Sequence, residues 1–437
     1  MSKQEFRLDD GGTIDRTSPI EFSFDLKRIV GFAGDTIASA LLANGIHLVG
    51  RSFKYHRPRG ILSAGPEEPS ALVRVNRGHG RVDPNQRATE VELVPGLSIE
   101  SQNRWPSLEW DVGQISELMS PLLPAGFYYK TFKWPASAWR FYEENIRRMA
   151  GLGRAPTEAD RDRYAHRYEH CEILIVGGGL AGLSAALQAA RTGVRVILAD
   201  DQTRLGGWMG AVDRDDTRGL NELVPSEWVE RAAAELAAFA NVRVLQRTRA
   251  FAYYDHNLLG LLERVTDHFA EPAPKLPRER LWKVRARSVI LATGAIERPL
   301  LFANNDRPGI LLADAAYRYV TRYAVVPGKN IVLCTNNDSA YESVWALAER
   351  GVLVQMVIDY RSEIKDHVVK RMDDYGIPIR RGAVVRRAYG QKRIRAVAVE
   401  AFGRNANSRS NKAEHVNCDA LLVSGGWNPN VALFAQS

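Results

Sequence analysis

The sequence predicts an α/β protein in two parts: a small β-grasp module on about residues 1–100 and, from residue 171 onward, a doubly wound region of mainly parallel sheets. Three observations carry this. The first hundred residues alternate short strand-like runs with glycine turns and hold one helix. From Cys171 the pattern changes to strand, glycine turn, helix, strand, and it restarts near Lys329. The chain of 437 residues, 45% hydrophobic and 25% charged, has the length of two or three domains and ordinary globular usage, which excludes disorder, a collagen-like repeat and a bare coiled coil.

Taken in order, turn signals at Asp10-Gly11-Gly12, Gly31, Gly34-Asp35, Gly45 and Gly60 separate the first strands. Thr36–Asn44 carries apolar residues at helical spacing, with Asp35 before it and Asn44-Gly45 as a stop. Ala71–Val75 and Thr89–Leu93 read as further strands, which completes a β-grasp-like domain on about residues 20–100. Residues 101–170 hold Trp105, Trp110, Trp134 and Trp139 with Tyr128, Tyr129 and Tyr142, and are expected to form a packed connector wrapping the next domain, helical over about Ala136–Met149. Gly151–His170, charged and containing Pro156, is the expected hinge. The first α/β domain is then 171–328 and the second 329–437. Leu421–Ser437 reads as a strand and a turn without a closing helix, so the second domain is expected to be truncated at its C-terminus.

Several function classes are unsupported. No run approaches the roughly 18 apolar residues of a membrane helix, and Met1–Phe24 is charged where a signal peptide is apolar, so a cytoplasmic protein with no membrane partner is expected. Cys171, Cys334 and Cys418 lie far apart and show no metal-ligand spacing, so buried, reduced thiols and no metal site are expected. The net charge of +8 is local, because Arg361–Lys412 holds fourteen Lys/Arg against five Asp/Glu. Its pairs Arg380-Arg381, Arg386-Arg387 and Lys392-Arg393 fit solvated faces of strands and turns, with a docking surface for an acidic partner as the alternative and nucleic acid not expected. Arg51–Arg59 (RSFKYHRPR) either faces an acidic partner or packs as a basic loop. His47, His56, His79, His166 and His170 are scattered and read as structural or solvated. No nucleophile and base pair stands out, so no catalytic residue is assigned.

The informative stretch is Glu172–Gly182 (EILIVGGGLAG), a buried strand running into Gly177-x-Gly179-x-x-Gly182 and the apolar helix Leu183–Arg191. The first glycine allows the tight turn, the second lets a pyrophosphate approach the backbone, and the third lets helix and strand pack closely. A second strand, Val194–Ala199, ends in Asp200-Asp201, and Asp200 stands 21 positions after Gly179, placed to accept ribose hydroxyls and to disfavour a 2′-phosphate. Gly206-Gly207 adds a second close backbone approach. Val289–Ala295 ends in the small residues Ala292, Thr293 and Gly294, which suit a strand flanking a dinucleotide. NAD and FAD use the same frame, so the residues alone leave both open. In the second unit the strand Lys329–Cys334 is followed by Thr335–Ala340, where glycines are expected, and Gly351–Asp359 ends in an acid. A degenerate, structural unit and a second nucleotide site are both open readings. The turn Gly425-Gly426-Trp427, after the returning strand from Leu421, is expected to cap the first site.

The runs Phe24–Val75, Ser101–Pro135 and SGGWNPNVALF near the end closely resemble the α subunits of the heterotetrameric sarcosine oxidase family over nearly the whole chain. The resemblance implies a ferredoxin-like module followed by an FAD/NAD(P)-binding region of the pyridine nucleotide-disulfide oxidoreductase type. It implies NAD on this subunit, FAD on the β subunit, a covalent FMN near the α/β interface, and β, γ and δ subunits as partners. The implied reaction demethylates sarcosine to glycine, giving hydrogen peroxide and formaldehyde, or methylenetetrahydrofolate. By the same resemblance, NAD contacts fall on Gly177, Gly179, Leu180, Ala181 and Gly182, on Asp200, Asp201 and Gln202, on Trp208, and near Ala250 and Gly425–Trp427. Residues 1–170 contain no cysteine, so an iron–sulfur cluster is excluded there and the module is a scaffold. The run to Ser437 stops within the reductase-like region, so a fragment of such a subunit or a truncated paralogue without the folate-handling half is expected, and folate chemistry is not claimed for it. The alternatives are an FAD-containing, NADH-dependent reductase or electron-transfer subunit, as in opine oxidase and cyanide-forming flavoenzymes, and an assembly scaffold with an empty site.

Overall fold

The computed structural model describes residues 4–78, 80–118, 120, 134–149, 151, 153–208, 210, 223–402 and 413–437. The chain divides into two compact units, one made of Met1–Arg161 with Glu297–Gly426 and the other of Asp162–Ile296 with Trp427–Ser437. The expected hinge, Gly151–His170, contains the first of these boundaries. Its C-terminal part is already strand.

The N-terminal module is a five-stranded sheet with one helix. Strands β1 (Asp15–Phe24) and β2 (Lys27–Ala33) form an antiparallel hairpin, and α1 (Ile37–Ala43) follows. Strands β3 (Leu72–Asn76), β4 (Val82–Arg87) and β5 (Ser98–Ser101) complete the order β2-β1-β5-β3-β4, with β1 and β5 parallel. The helix starts where the sequence predicts, because Thr36 and Ser39 form a reciprocal capping box, at 3.2 Å and 2.9 Å. Asp35, just before it, is fully buried and receives Arg7 Nη2 at 2.7 Å, the Ser39 hydroxyl at 2.7 Å and the Phe32 N–H at 2.9 Å. The strand expected over Thr89–Leu93 does not form. That segment instead supplies backbone partners to the helix start: Val91 O accepts from Ile37 N, and Leu93 N donates to Asp35 O.

In the connector, the expected helix is α2 (Trp139–Met149), preceded by a single 3-10 turn. Trp105, Trp110, Trp134 and Trp139 are all exposed, contrary to the packed arrangement expected of them. Tyr128 and Tyr129 lie outside the described residues.

The second unit is built on a six-stranded sheet. β6 (Tyr164–Val176) leads into α3 (Leu180–Arg191), and β7 (Val196–Ala199), α4 (Pro225–Ala238) and β8 (Val242–Leu245) follow. An antiparallel excursion, β9 (Thr248–Tyr254) and β10 (Leu258–Arg264), returns through β11 (Glu279–Leu291), which lies parallel to β6. The order is β8-β7-β6-β11-β10-β9. Core lies on both faces, as a parallel sheet requires: Ile175, Leu183, Leu198 and Leu236 pack under the helices, and Leu174, Leu259, Leu261 and Val284 on the other side.

The remaining α/β part belongs to the first unit. It comprises β12 (Ile310–Leu312), α5 (Ala313–Tyr323), β13 (Ile331–Thr335), α6 (Tyr341–Ala348), β14 (Val354–Asp359), α7 (Asp366–Asp374) and β15 (Ile379–Arg381). The antiparallel strands β16 (Ala383–Tyr389), β17 (Ala396–Ala401) and β18 (Glu414–Asn417) precede β19 (Ala420–Ser424). The all-parallel order β12-β19-β13-β14-β15 takes its first strand from before Lys329, and Trp427–Ser437 rejoin the other unit, so both ends differ from the expected 329–437. This sheet and the N-terminal module share contacts that hold them as one body: Arg7 Nη1 donates to Tyr323 O at 2.8 Å, Leu312 N to Leu62 O at 2.8 Å, and the Tyr319 hydroxyl to Ser63 O at 2.9 Å.

The two basic stretches are largely paired. Arg57 binds Asp306 through Nε at 2.7 Å and also pairs with Glu117, and Arg59 pairs with Asp306. Arg51 is buried against the Leu108 carbonyl, so Arg51–Arg59 packs as a basic loop. Arg380, Arg381, Arg386 and Arg387 are exposed on strands, as expected of solvated faces, with Arg386 beside Glu400 at 3.1 Å. Residues 403–412 of that stretch lie outside the description. Among the described residues, no helix is long and apolar enough to cross a membrane.

Glu297, where the chain enters the first unit again, is 4% exposed, and its carboxylate accepts the Asp314 N–H in the first turn of α5 at 2.8 Å. Burial, then the nearby Asp314 carboxylate, pushes the Glu297 carboxyl up to about 8, against the opposing influence of Ser424 and Arg318. A folded-state value above the ordinary one means that its stabilising contribution is complete below about pH 4.5 and is lost as pH rises to about 8. Glu297→Gln is expected to flatten that decline by about 1–3 kcal/mol between pH 5 and pH 8.5, measured by urea unfolding at both pH values.

Candidate functional site

The site is set by the turn between β6 and α3. Leu174 and Ile175 are fully buried, which fixes the strand, and Gly177 leaves it at φ +103°. A Cβ on Gly177 would stand 2.2 Å from Ala292 O, and one on Gly182 would stand 1.8 Å from Gly177 O, so neither position admits a side chain. Gly179 differs: a Cβ there meets nothing within 4 Å. Its backbone faces open space. Gly179 is also the N-cap of α3, with no side chain bonded to the helix start, so the first-turn N–H groups and the helix dipole are available to an anion.

Asp200 closes the site from the end of β7. It is 8% exposed; Oδ2 accepts the Gly178 N–H at 2.5 Å and Oδ1 the Gln202 N–H at 2.8 Å. Burial raises its carboxyl above the ordinary value, the two N–H bonds oppose that, and neighbouring Asp201 adds to the rise. Hydroxyl donors from a ribose would favour the charged form further. Gly206 pairs with the same turn, its N–H donating to Gly178 O at 2.8 Å, and Gly207, at φ +54°, would place a Cβ 3.3 Å from Gly179 Cα. The double glycine therefore lies against the Gly177–Gly182 turn.

Ala292 is tied to the strand end by its N–H to Val176 O at 2.8 Å, the Thr293 hydroxyl donates to Asn430 O at 2.7 Å, and Gly294 O accepts Asn430 N at 2.9 Å. Leu180 and Ala181 open α3, Trp208 is half-buried just after the double glycine, and Ala250 is partly buried on β9. Two residues escaped the sequence reading. Arg249 Nε stands 3.8 Å from Asp201 Oδ2, and Arg264 donates to Asp201 O at 3.3 Å. Both lie on the antiparallel excursion, far along the chain from Asp201, and nothing in their local pattern marks them. Strand β19 belongs to the second α/β sheet, and Gly425 and Gly426 exchange backbone bonds with Arg298 within the first unit, at 2.7 Å and 2.8 Å; Trp427 begins the return to the second unit.

The corresponding turn of the second α/β sheet is filled by its own side chains. Asn337 Nδ2 donates to the Ser424 hydroxyl at 2.9 Å, and the Thr335 hydroxyl oxygen accepts Asn337 N at 3.1 Å. Asp359, at the position that corresponds to Asp200, is fully buried: Oδ2 accepts the Tyr341 hydroxyl at 2.9 Å and Arg361 Nη2 at 2.8 Å, and Oδ1 accepts Arg361 N and Nε. Burial pushes the thiols of Cys171, Cys334 and Cys418 up to about 12, so none supplies a thiolate nucleophile near neutral pH. Among the described residues no group of three or more His, Cys, Asp and Glu could hold a metal ion. His56 pairs with Asp111 at 2.7 Å, and His79 lies outside the description.

Residues 17–104 match the 2Fe-2S iron-sulfur cluster binding domain family, and residues 171–437 match the pyridine nucleotide-disulphide oxidoreductase family. The second match spans more than half of the chain, which belongs to that family. Sarcosine oxidase subunit alpha of Rhizobium meliloti (strain 1021) is 47% identical over 98% of this chain and 42% of its own length. The subunit of the same name from Corynebacterium sp. (strain U-96) is 34% identical over 98% of this chain and 39% of its own length. The chain thus spans about two fifths of the length of these curated relatives. The crystal structure of L-proline dehydrogenase from P.horikoshii shares the fold, with a TM-score of 0.62 at 20% identity over 98% of this chain and 63% of that one.

The glycines of the turn separate folding from binding. Gly182→Ala is expected to destabilise the chain by about 2–3 kcal/mol through overpacking. Gly179→Ala is expected to leave stability within about 0.5 kcal/mol of wild type, while weakening nucleotide binding about tenfold or more by obstructing the phosphate approach. Urea unfolding and calorimetric titration of the two variants measure both effects.

Proposed function

We propose that this member of the pyridine nucleotide-disulphide oxidoreductase family is the NAD-binding part of a sarcosine oxidase-type α subunit. The observation that carries the reading is the pairing of an open Gly179 backbone at an uncapped helix start with the buried Asp200 carboxylate beside it. The N–H groups in the first turn of α3, after Gly179, would hold the pyrophosphate, and Asp200 would accept the hydroxyls of the adenosine ribose; the Gly177 and Gly178 N–H groups are already given to Ala199 O and Asp200. Asp201, steadied by Arg249 and Arg264, and Gln202 line the same end. Acids at this position favour a free 2′-hydroxyl over a 2′-phosphate. When bound, NAD supplies a dinucleotide that orders this end of the sheet, and its nicotinamide is a hydride carrier in general chemistry.

NAD is favoured over FAD by the second α/β unit. An FAD-containing reductase in this frame needs a second site to receive NADH, and here the equivalent turn and acid are occupied by Asn337, Tyr341 and Arg361. In the proposed cytoplasmic complex this chain binds and positions beside β, γ and δ partner subunits, and amine oxidation belongs to FAD on the β subunit, with a covalent FMN near the α/β interface. The overall reaction there takes sarcosine, oxygen and water to glycine, formaldehyde and hydrogen peroxide, or passes the one-carbon unit to tetrahydrofolate.

Denaturing the purified chain and identifying released nucleotide by mass and absorbance tests the reading. NAD without flavin is the expected result; FAD that NADH reduces would establish the reductase instead. Asp200→Ala is expected to weaken NAD binding by about 1–3 kcal/mol, the loss of charge-assisted hydrogen bonds. Calorimetry on wild type is also expected to show NADP binding about tenfold or more weaker than NAD. Unchanged NAD affinity in Asp200→Ala would remove this residue from the site.

A further inference from the structure

The N-terminal module has the fold of an iron–sulfur domain without a ligand for one. Residues 17–104 match the 2Fe-2S family, yet the three cysteines of the chain all lie beyond them. A plant-type cluster takes four thiolates spaced C-x4-C-x2-C with a fourth from further along the chain. That spacing falls here on Ser63, Glu68 and Ala71, in the loop that leads into β3. Thr89 reaches the same loop from beyond β4, its hydroxyl donating to Gly65 O at 2.7 Å. Ser63, Glu68, Ala71 and Thr89 are 1%, 1%, 0% and 5% exposed, so these positions converge in the interior. Oxygen, carboxylate and methyl groups do not make a [2Fe–2S] ligand set.

The centre of this convergence is the Glu68 carboxylate. Oε2 accepts Leu62 N at 2.9 Å and Ser63 N at 2.7 Å, with the Ser63 hydroxyl at 3.3 Å; Oε1 accepts Ser70 N at 2.7 Å and Ala71 N at 2.9 Å. Four backbone N–H groups from both ends of one loop thus point at a single side chain. Converging N–H groups form an anion-binding nest, and the sulfurs of a protein-bound iron–sulfur cluster likewise receive hydrogen bonds. A buried carboxylate is tolerated only when hydrogen bonds replace its water. All four backbone partners are donors, so the ionised form fits the geometry and a protonated one would set its O–H against N–H. Burial raises the carboxyl above its ordinary value, and the four N–H bonds oppose that rise.

We infer that Glu68 stands in for the iron–sulfur cluster: its carboxylate is the buried anion that closes the 61–71 loop, and the module binds no cluster and carries no electron. The closed loop then serves packing within the first unit. Its Leu62 and Ser63 carbonyls accept the Leu312 N–H and the Tyr319 hydroxyl of the second α/β sheet. Glu68 is thus a positioning residue for that contact. The inference stands independently of the nucleotide proposed for the other unit.

The test uses the full chain. After anaerobic incubation with ferrous iron and sulfide and then gel filtration, wild type is expected to retain neither; stoichiometric iron and sulfide with a visible absorption band would overturn the inference. This measurement needs no variant and decides the question even where substitutions prevent folding. Glu68→Gln keeps the size and removes the charge, and its melting temperature is expected to fall by about 5 °C or more; an unchanged value would overturn the anion role. Glu68→Ala leaves a hole lined by N–H donors, and formate is expected to raise its melting temperature while formamide does not. Equal response to the two would also overturn it, because a purely space-filling role is blind to charge.

Discussion

The Gly178 N–H to Asp200 hydrogen bond, at 2.5 Å, joins the end of one parallel strand to the turn leaving its neighbour. Much of the second unit is arranged so that this bond can form. The turn can approach the acid because Gly177 and Gly182 carry no side chain where Ala292 O and Gly177 O already stand. The double glycine at 206–207 then lies on the same turn, and the Asp200 carbonyl accepts Thr248 N at 2.7 Å to start the antiparallel excursion. Three acceptors, the Asp200 carboxylate and the Gly178 and Asp200 carbonyls, thus tie these segments together, and open space is left over Gly179.

The first unit repeats the device with different chemistry. Asp35 and Glu68 are both buried carboxylates, but Asp35 is met by the Arg7 guanidinium, whereas the described partners of Glu68 are N–H groups and a hydroxyl. Asp35 draws in Arg7 from the start of the chain, whereas Glu68 closes the two ends of its own loop. Losing one partner of such an arrangement leaves the other unsatisfied in the interior, which costs more than the bond itself contributes.

The two α/β sheets share a strand–turn–helix–strand frame with opposite outcomes. In the second unit the phosphate turn is bare and its acid is turned toward the turn; in the first unit Asn337 crosses the turn and Arg361 and Tyr341 saturate Asp359. A nucleotide site thus depends less on the strand–turn–helix pattern than on whether the side chains at the turn leave room and unspent hydrogen-bonding capacity. One open site and one filled one accord with a binding subunit better than with a self-contained reductase.

The sequence by itself determined the helix at Thr36–Asn44, the strand and glycine turn at Glu172–Gly182, the acid at Asp200 and the loss of glycine at Thr335–Ala340, because each rests on spacing within a few residues or on a residue type with a single steric property. It also determined that residues 1–170 offer no cysteine to a cluster, since cysteines can be counted. Tertiary structure alone decided what depends on partners far along the chain. Thr89–Leu93 is strand-like in composition but gives its backbone bonds to the start of α1. The basic run Arg51–Arg59 is neutralised by Asp306 and Glu117. The turn at Gly425-Gly426 pairs with Arg298 within the first unit because β19 hydrogen-bonds between β12 and β13. The role of Glu68 became visible only when the loop folded its N–H groups around it. Local sequence fixes what a residue can do, but a buried charge is given its function by the donors that the fold brings to it.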